Sequence, residues 1–330
     1  LATGRAAEAA ATLDRALIAH PRDANLAQFL ASTLNYVPDA PSDRIAKAHA
    51  LAARLLESDA PSAPLSNPRD PDRPLSIGFL SPDLHAHSIS YFLLPLVTHL
   101  NAQSLTPTFL WTGKTDDAFT ERYRRVAATP DRWRPCRSLS TGDLCALIRR
   151  LGIDVLVDLS GHTTGNAMPV FARRPAPIQI SAIGYPNSTG LRAIGARLGD
   201  STTDPPDHRA DESIMRVDPC FLCYQPPEAA PDDEPRVSDP DRPPTFGSFN
   251  ALQKVHPGVI DLWSRLLVEV PGSRLVLKGD LRLSAVGERL LSSFESRGID
   301  RSRLTPLSQT ASPAEARRLY ALMDVALDTF

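Results

Sequence analysis

Between residues 75 and 224 the chain repeats one alternation. A short unbroken apolar run is followed by a stretch with apolar residues at helical period. The runs are LSIGFL (75–80), TPTFLW (106–111), IDVLVDLS (153–160) and PIQISAIG (177–184), with ISYFLLPLVTHLN and TGDLCALIRRLG between them. A strand with no polar alternation must be covered on both faces, and a parallel sheet flanked by helices provides that cover. Residues 245–330 repeat the scheme: TFGSFN, GVIDLWSRLLVEVP, SRLVLKG, AVGERLLSSFESRG, RLTPL, SPAEARRLYALM and DVALDTF. The pattern predicts an α/β protein with two Rossmann-like lobes.

The boundaries come from proline, of which the 330 residues contain 31. Two clusters, in 59–74 and 225–244, read as a linker and a long acidic loop, because proline donates no backbone hydrogen bond. They divide the chain into a helical segment (1–58), an N-terminal lobe (75–224) and a partial C-terminal lobe (245–330). In the helical segment, Ala9, Leu13 and Ala16 share one helical face ahead of Pro21. That is the spacing of a tetratricopeptide-type second helix, and a plain amphipathic hairpin is the alternative. One helix pair cannot bury its own face, so further repeats are expected upstream. The opening Leu1 agrees with a start before this sequence.

The bulk properties exclude several classes. Lys and Arg number 36 against 38 Asp and Glu, a net charge of −2. No global basic field exists to hold nucleic acid or an acidic membrane. No apolar run approaches the roughly 20 residues of a membrane span, and no signal peptide opens the chain. Four cysteines are too few for a disulfide scaffold, which predicts a reduced, cytoplasmic setting. No GxxxxGK[ST] and no GxGxxG after the first run argue against a P-loop enzyme and a dinucleotide enzyme.

In open α/β sheets, chemistry lies just past the C-terminal ends of strands. There LSPDLHAHSIS (80–90) sets Asp83, His85 and His87 on alternate positions, which in extended chain point one way. Zinc needs three or four ligands, and this stretch supplies two imidazoles. The other pair with metal spacing, Cys220 and Cys223, precedes a proline-rich loop, so no metal site is expected. DLSGHTTGN (158–166) ends the third run with His162, and IGYPNSTG (183–190) ends the fourth with Gly184, Tyr185 and Pro186. GSFNALQKVHP (247–257) places Lys254 just before a helix start, where a lysine and free amides can grip phosphate. Each loop alone could be solvated surface; together they predict a ligand crevice.

The stretches IGFLSPDLHAHSISYFLLPL, GIDVLVDLSGHT, RRPAPIQISAIGYPNSTGL, FGSFNALQKVHP and MDVALDTF resemble the O-GlcNAc transferase/SPINDLY family over residues 4–21 and 75–330. The resemblance implies a GT-B catalytic region behind tetratricopeptide repeats. It implies inverting, metal-independent transfer of GlcNAc from UDP-GlcNAc to Ser or Thr hydroxyls of proteins. No cofactor is implied, because the nucleotide sugar is a substrate; acceptor proteins would dock through the repeats. By motif, His87 matches the active-site histidine beside the donor sugar and Asp83 a proton acceptor or relay. Gly184, Tyr185 and Pro186 match the loop against the sugar, with His162 on the neighbouring loop. Lys254, with Asn250, matches the diphosphate site. His85 matches no functional position and reads as a loop residue.

Two departures stand out. The family's histidine near the uracil falls at Ala316, and the Thr-rich phosphate loop expected after DVALDTF does not follow, so the chain reads as a fragment inactive alone. Two other functions fit the residues: protein O-fucosylation from GDP-fucose, and a non-catalytic repeat scaffold.

Overall fold

Phe79 and Leu80 are neighbours in one strand and enter different cores, and the first sheet is built on that alternation. Its strands are β1 (Leu75–Ser81), β2 (Leu105–Trp111), β3 (Trp133–Pro135), β4 (Val155–Asp158), β5 (Ile178–Ser181), β6 (Ala196–Gly199) and β7 (Ser213–Arg216). They lie in the order β3-β2-β1-β4-β5-β6-β7, every neighbouring pair parallel. Leu80, Leu110 and Leu156 point to one face, and Phe79, Phe109 and Val157 to the other. The first face is covered by α6 (Thr141–Arg150) through Leu144, Cys145 and Ile148, and by α7 (Met168–Phe171). The second is covered by α4 (Ser90–Thr98) through Leu93 and Val97, and by α5 (Ala118–Ala127) through Tyr123 and Ala127. This is the doubly covered parallel sheet that the apolar runs require.

The protein is described here by a computed structural model covering residues 4–58, 64–70, 72–101, 103–205, 211–226, 241–279, 281, 284–310 and 312–329. Part of the expected linker (59–63 and 71), most of the acidic loop (227–240) and Phe330 lie outside the described residues. Two units emerge: residues 10–35 with 39–226, and residues 1–9 with 36–38 and 227–330.

The helical segment consists of α1 (Ala6–Ala19), α2 (Ala24–Leu34) and α3 (Ser42–Glu57). The carboxylate of Asp23 caps α2, accepting from the amides of Asn25 and Leu26. Buried positions on α1 include Ala10 and Leu17, with Ala9, Leu13 and Ala16 half-buried beside them. Most of the segment shares a unit with the first sheet. Ala53 of α3 enters the same core as Leu80 and Leu156. The described part of the 59–74 stretch is also tied down. Asn67 donates to the carbonyls of Gly152 and Ile153, and Arg73 makes a two-point contact with Asp154 at 2.6 and 2.7 Å.

The second unit holds β8 (Thr245–Ser248), β9 (Arg274–Lys278), β10 (Leu304–Leu307) and β11 (Val325–Ala326), all parallel in the order β10-β9-β8-β11. α8 (Pro257–Glu269) and α9 (Ala285–Glu295) pack Val259, Trp263, Leu291 and Phe294 onto Phe246, Leu275 and Leu277. The short α10 (Pro313–Arg318) follows. Among the described residues, no helix is long and apolar enough to cross a membrane.

Leu156 lies fully buried on β4 at the centre of the first sheet. Leu156→Ala should lower unfolding free energy by about 2–5 kcal/mol, read as a lower urea midpoint at unchanged slope. A change below about 1 kcal/mol would mean that this core is not packed as described.

Candidate active site

Three strand ends of the first sheet, Ser81, Asp158 and Ser181, lie side by side, and each opens a loop. The carboxylate of Asp158 joins two of them, its own and that of Ser181. It accepts from the amides of Ser160 (3.0 Å) and Gly161 (3.0 and 3.1 Å) and from the Ser181 hydroxyl (2.9 Å). Complete burial pushes this carboxyl up to about 6, against the pull of those donors. Ser160 and Ser81 meet hydroxyl to hydroxyl at 3.2 Å, and the Ser81 hydroxyl also takes the Asp83 amide.

The 82–89 loop carries Asp83, His85 and His87. The α5 cap holds it: Asp117 accepts from the Phe119 and Thr120 amides with one oxygen and from the Ala86 amide, at 2.7 Å, with the other. Burial alone would raise the Asp117 carboxyl, but these amides hold it below the usual range. The Ser90 hydroxyl donates to the His85 carbonyl. His87 is half-buried, and its Nδ1 accepts weakly from the Ile89 amide at 3.4 Å. That contact leaves Nε2 to carry the proton, so the ring presents a donor. His85, expected to be a plain loop residue, brings Nε2 to 3.9 Å from the Asp83 carboxylate.

The composition of GYPNSTG follows from what each residue touches. A Cβ on Gly184 would sit 1.8 Å from the Leu159 carbonyl oxygen, so only glycine fits that crossing. Ile183 before it has φ +66°, a costly conformation for a β-branched residue. The buried Tyr185 hydroxyl meets Asn35 Nδ2 at 2.9 Å and His49 Nε2 at 2.7 Å. His49 Nδ1 lies 2.8 Å from the Ile45 carbonyl, which can only accept. Nδ1 therefore holds the proton and Nε2 accepts from the Tyr185 hydroxyl. Burial lowers His49 and keeps it neutral for that task. Asn187 donates to Asn35, while Ser188 and Thr189 donate to the buried Glu212. His162 lies beneath this loop instead of on an open wall. Its Nε2 donates to the Thr189 carbonyl at 2.7 Å, and its Nδ1 is 3.4 Å from the Gln28 side-chain oxygen. Burial pushes His162 down to about 4. The rings of His49, His162 and Tyr185 contact one another at 5.5–5.8 Å. Gln28, Asn35 and His49 thus support the strand-end loops from the helical segment, a role that periodicity alone does not signal.

Beside these loops lies a cavity of 440 Å³ lined by His87, Phe92, Ile183, Gly184, Tyr185, Pro186, Arg197, Asp204 and Phe221, among others. The structure brings His87 together with Gly184, Tyr185 and Pro186; Asp83 and His162 do not line the cavity. In the second unit, Lys254 ends a short 3₁₀ turn after β8, exposed, its ammonium making no hydrogen bond or ion pair among the described residues. Asn250 donates to Asp328 at 2.8 Å, and the Thr329 amide, Asn250 and the charge of Lys254 hold that carboxyl low. Sequence reading passed over Lys278, at the end of β9, whose ammonium stands 5.6 Å above the Phe249 ring. Its signal was available: the last residue of a strand in a parallel sheet. Among the described residues no group of three His, Cys, Asp or Glu could hold a metal ion.

The family model described as glycosyl transferase family 41 matches residues 54–214 and 236–330. An Arabidopsis thaliana protein named probable UDP-N-acetylglucosamine–peptide N-acetylglucosaminyltransferase SPINDLY is 35% identical over 317 residues, 94% of this chain and 34% of its own length. A relative of the same name from Oryza sativa subsp. japonica is 36% identical over 324 residues, 96% of this chain and 35% of its own. A solved O-GlcNAc transferase mutant from Thermobaculum terrenum is 32% identical with a TM-score of 0.91, covering 100% of this chain and 62% of that one. The chain spans about a third of the length of the curated relatives it matches.

The two buried titrating groups oppose each other. Asp158 holds its proton up to about pH 6 when folded, against an ordinary 3.8. Its contribution to stability therefore declines as pH rises through that window. His162 refuses a proton down to about pH 4 when folded, against an ordinary 6.5, so its contribution grows with pH. In Asp158→Asn only the rising contribution remains. Its unfolding free energy should climb more steeply than the parent's between about pH 4 and 6, by roughly 3 kcal/mol at most. Urea titrations across that range measure both slopes, and equal slopes would show that Asp158 titrates as in the unfolded chain.

Proposed function

The chain belongs to glycosyl transferase family 41, and from that premise we propose that it transfers GlcNAc from UDP-GlcNAc to Ser and Thr hydroxyls of proteins. The observation that carries the reading is the convergence of His87 with Gly184, Tyr185 and Pro186 on one cavity at the strand ends of a GT-B type fold. Such a cavity suits a sugar, with apolar walls and a few fixed polar groups.

In the proposed reaction the acceptor oxygen bonds to the anomeric carbon from the face opposite the diphosphate. The bond from that carbon to the diphosphate oxygen breaks, and its electron pair leaves with the nucleotide. The hydroxyl proton passes to Asp83, directly or by relay, with the His85 ring 3.9 Å from the carboxylate. His87, with its donor on Nε2, orients the sugar. Lys254 and Lys278 offset the charge that builds on the leaving diphosphate. No cofactor enters the scheme, and the nucleotide sugar is a substrate. Acceptor proteins are assigned to the helical segment, and a cytoplasmic setting fits four cysteines that are all unpaired.

The test is transfer of labelled GlcNAc to a Ser/Thr peptide, with UDP affinity measured in parallel. His87→Ala should lose transfer by roughly 100-fold or more while melting like the parent. Lys254→Ala should weaken UDP binding about 10- to 100-fold, the loss of one charged hydrogen bond. Parental turnover in the first variant would remove His87 from the mechanism, and parental UDP affinity in the second would leave Lys254 a solvated lysine.

A further inference from the structure

Arg197 is a buried arginine with most of its donors unused. It sits on β6, is 5% exposed, and lines the cavity next to Gly184 and Pro186. Its Nη2 donates to Asp204 Oδ1, the single hydrogen bond of its side chain among the described residues. Nε is buried without an acceptor, and Nη1 has none among the described residues. Asp204 is itself firmly seated. It is 2% exposed, and a Cβ on Gly199 would come within 2.1 Å of its Oδ2, so bare backbone makes room for the carboxylate. The Thr203 hydroxyl adds a donor at 3.3 Å. A buried ion pair gives up hydration on both sides, and leaving guanidinium donors unpaired adds to that cost. Packing does not explain it, since an apolar side chain of similar size would fill β6 without the penalty.

We infer that Arg197 is a specificity-determining residue that donates from its unpaired guanidinium edge to an oxygen of the transferred sugar. The inference rests on the proposed sugar transfer at this cavity and extends it. Charge decides the class of occupant. Asp204 already neutralises Arg197, so the pair does not attract an anion as a lone cation would, and a phosphate is disfavoured. A neutral group bearing hydroxyl or carbonyl oxygens needs only the donors. The rings of Phe92 and Phe221 in the same wall offer an apolar surface to the C–H face of such a group. Fixed donors on one side and apolar surface on the other suit a pyranose ring. Asp204 holds the guanidinium in place and acts as a positioning residue.

The experiment separates the sugar from the nucleotide. Arg197→Lys keeps a cation opposite Asp204 but loses the planar fork. A double variant, Arg197→Met with Asp204→Leu, removes the pair without stranding either charge. For each, the KM for UDP-GlcNAc and the inhibition constant of free UDP are measured, with thermal melting as the fold control. KM should rise on the order of 10- to 100-fold in both variants, while UDP inhibition stays within about twofold of the parent. Parental KM in a folded Arg197→Lys would overturn the inference and leave the transfer reading intact. Equal losses for UDP and UDP-GlcNAc would also overturn it, by moving Arg197 to the nucleotide. A parent protein that saturates with no UDP-GlcNAc at all would overturn the transfer reading, and this inference with it.

Discussion

The Asp158 carboxylate ties the end of β4 to that of β5, and the Ser160 hydroxyl beside it reaches Ser81 at the end of β1. The carboxylate takes two hydrogen bonds from the Gly161 amide, one from the Ser160 amide and one from the Ser181 hydroxyl. Parallel strands end with unpaired amides and carbonyls, and an α/β protein uses that edge for chemistry. The loops there need anchoring without being buried. A carboxylate with four donor contacts provides the anchor from below and leaves the upper side open. The cost is visible in Asp158 itself, whose proton affinity burial raises despite those donors. Close packing follows from the same arrangement. Gly161 has φ +52°, and a Cβ there would strike the Tyr185 ring at 2.2 Å. The turn fixed by Asp158 and the loop bearing Tyr185 are therefore fitted to each other with no room for a larger residue.

The second support comes from the helices. Asn35 and His49 meet at the Tyr185 hydroxyl, and Gln28 reaches the ring of His162. These contacts give the helical segment a part in holding the strand-end loops. The helices α2 and α3 reach Tyr185 through two hydrogen bonds and His162 through one contact. Burial lowers the proton affinity of His49 and His162, and His49 keeps the tautomer that its bonds to Ile45 and Tyr185 require. The loop that lines the cavity is thereby fixed from two directions, by the sheet edge and by the helical layer.

Much of this was legible in the sequence where the apolar runs were long. β1, β2, β8 and β9 fall within or beside their predicted runs, because strands covered on both faces cannot alternate with polar residues. β3, β6 and β7 were missed. β3 has three residues and ends at Pro135, and β6 carries the charged Arg197 in place of an apolar residue. β7 lies at the sheet edge with Met215 exposed. The strand-end rule pointed to His87, Gly184 and Tyr185, which line one cavity, and to Lys254 in the second unit. It gave no access to Asn35 and His49, which belong to the site only through contacts made 136 to 150 residues away. His85 was set aside because it matches no functional position of the family, although its alternation with Asp83 already put the two on one side of the chain.

The central claim is that the strand-end loops of the first sheet form the sugar side of the site. A crystal structure of the protein with UDP-GlcNAc, or with an analogue that resists transfer, tests it most directly. The account predicts the GlcNAc ring in the cavity walled by His87, Gly184, Tyr185 and Pro186, with those side chains near the positions described here. A GlcNAc ring bound elsewhere, with this cavity empty of ligand, would contradict it.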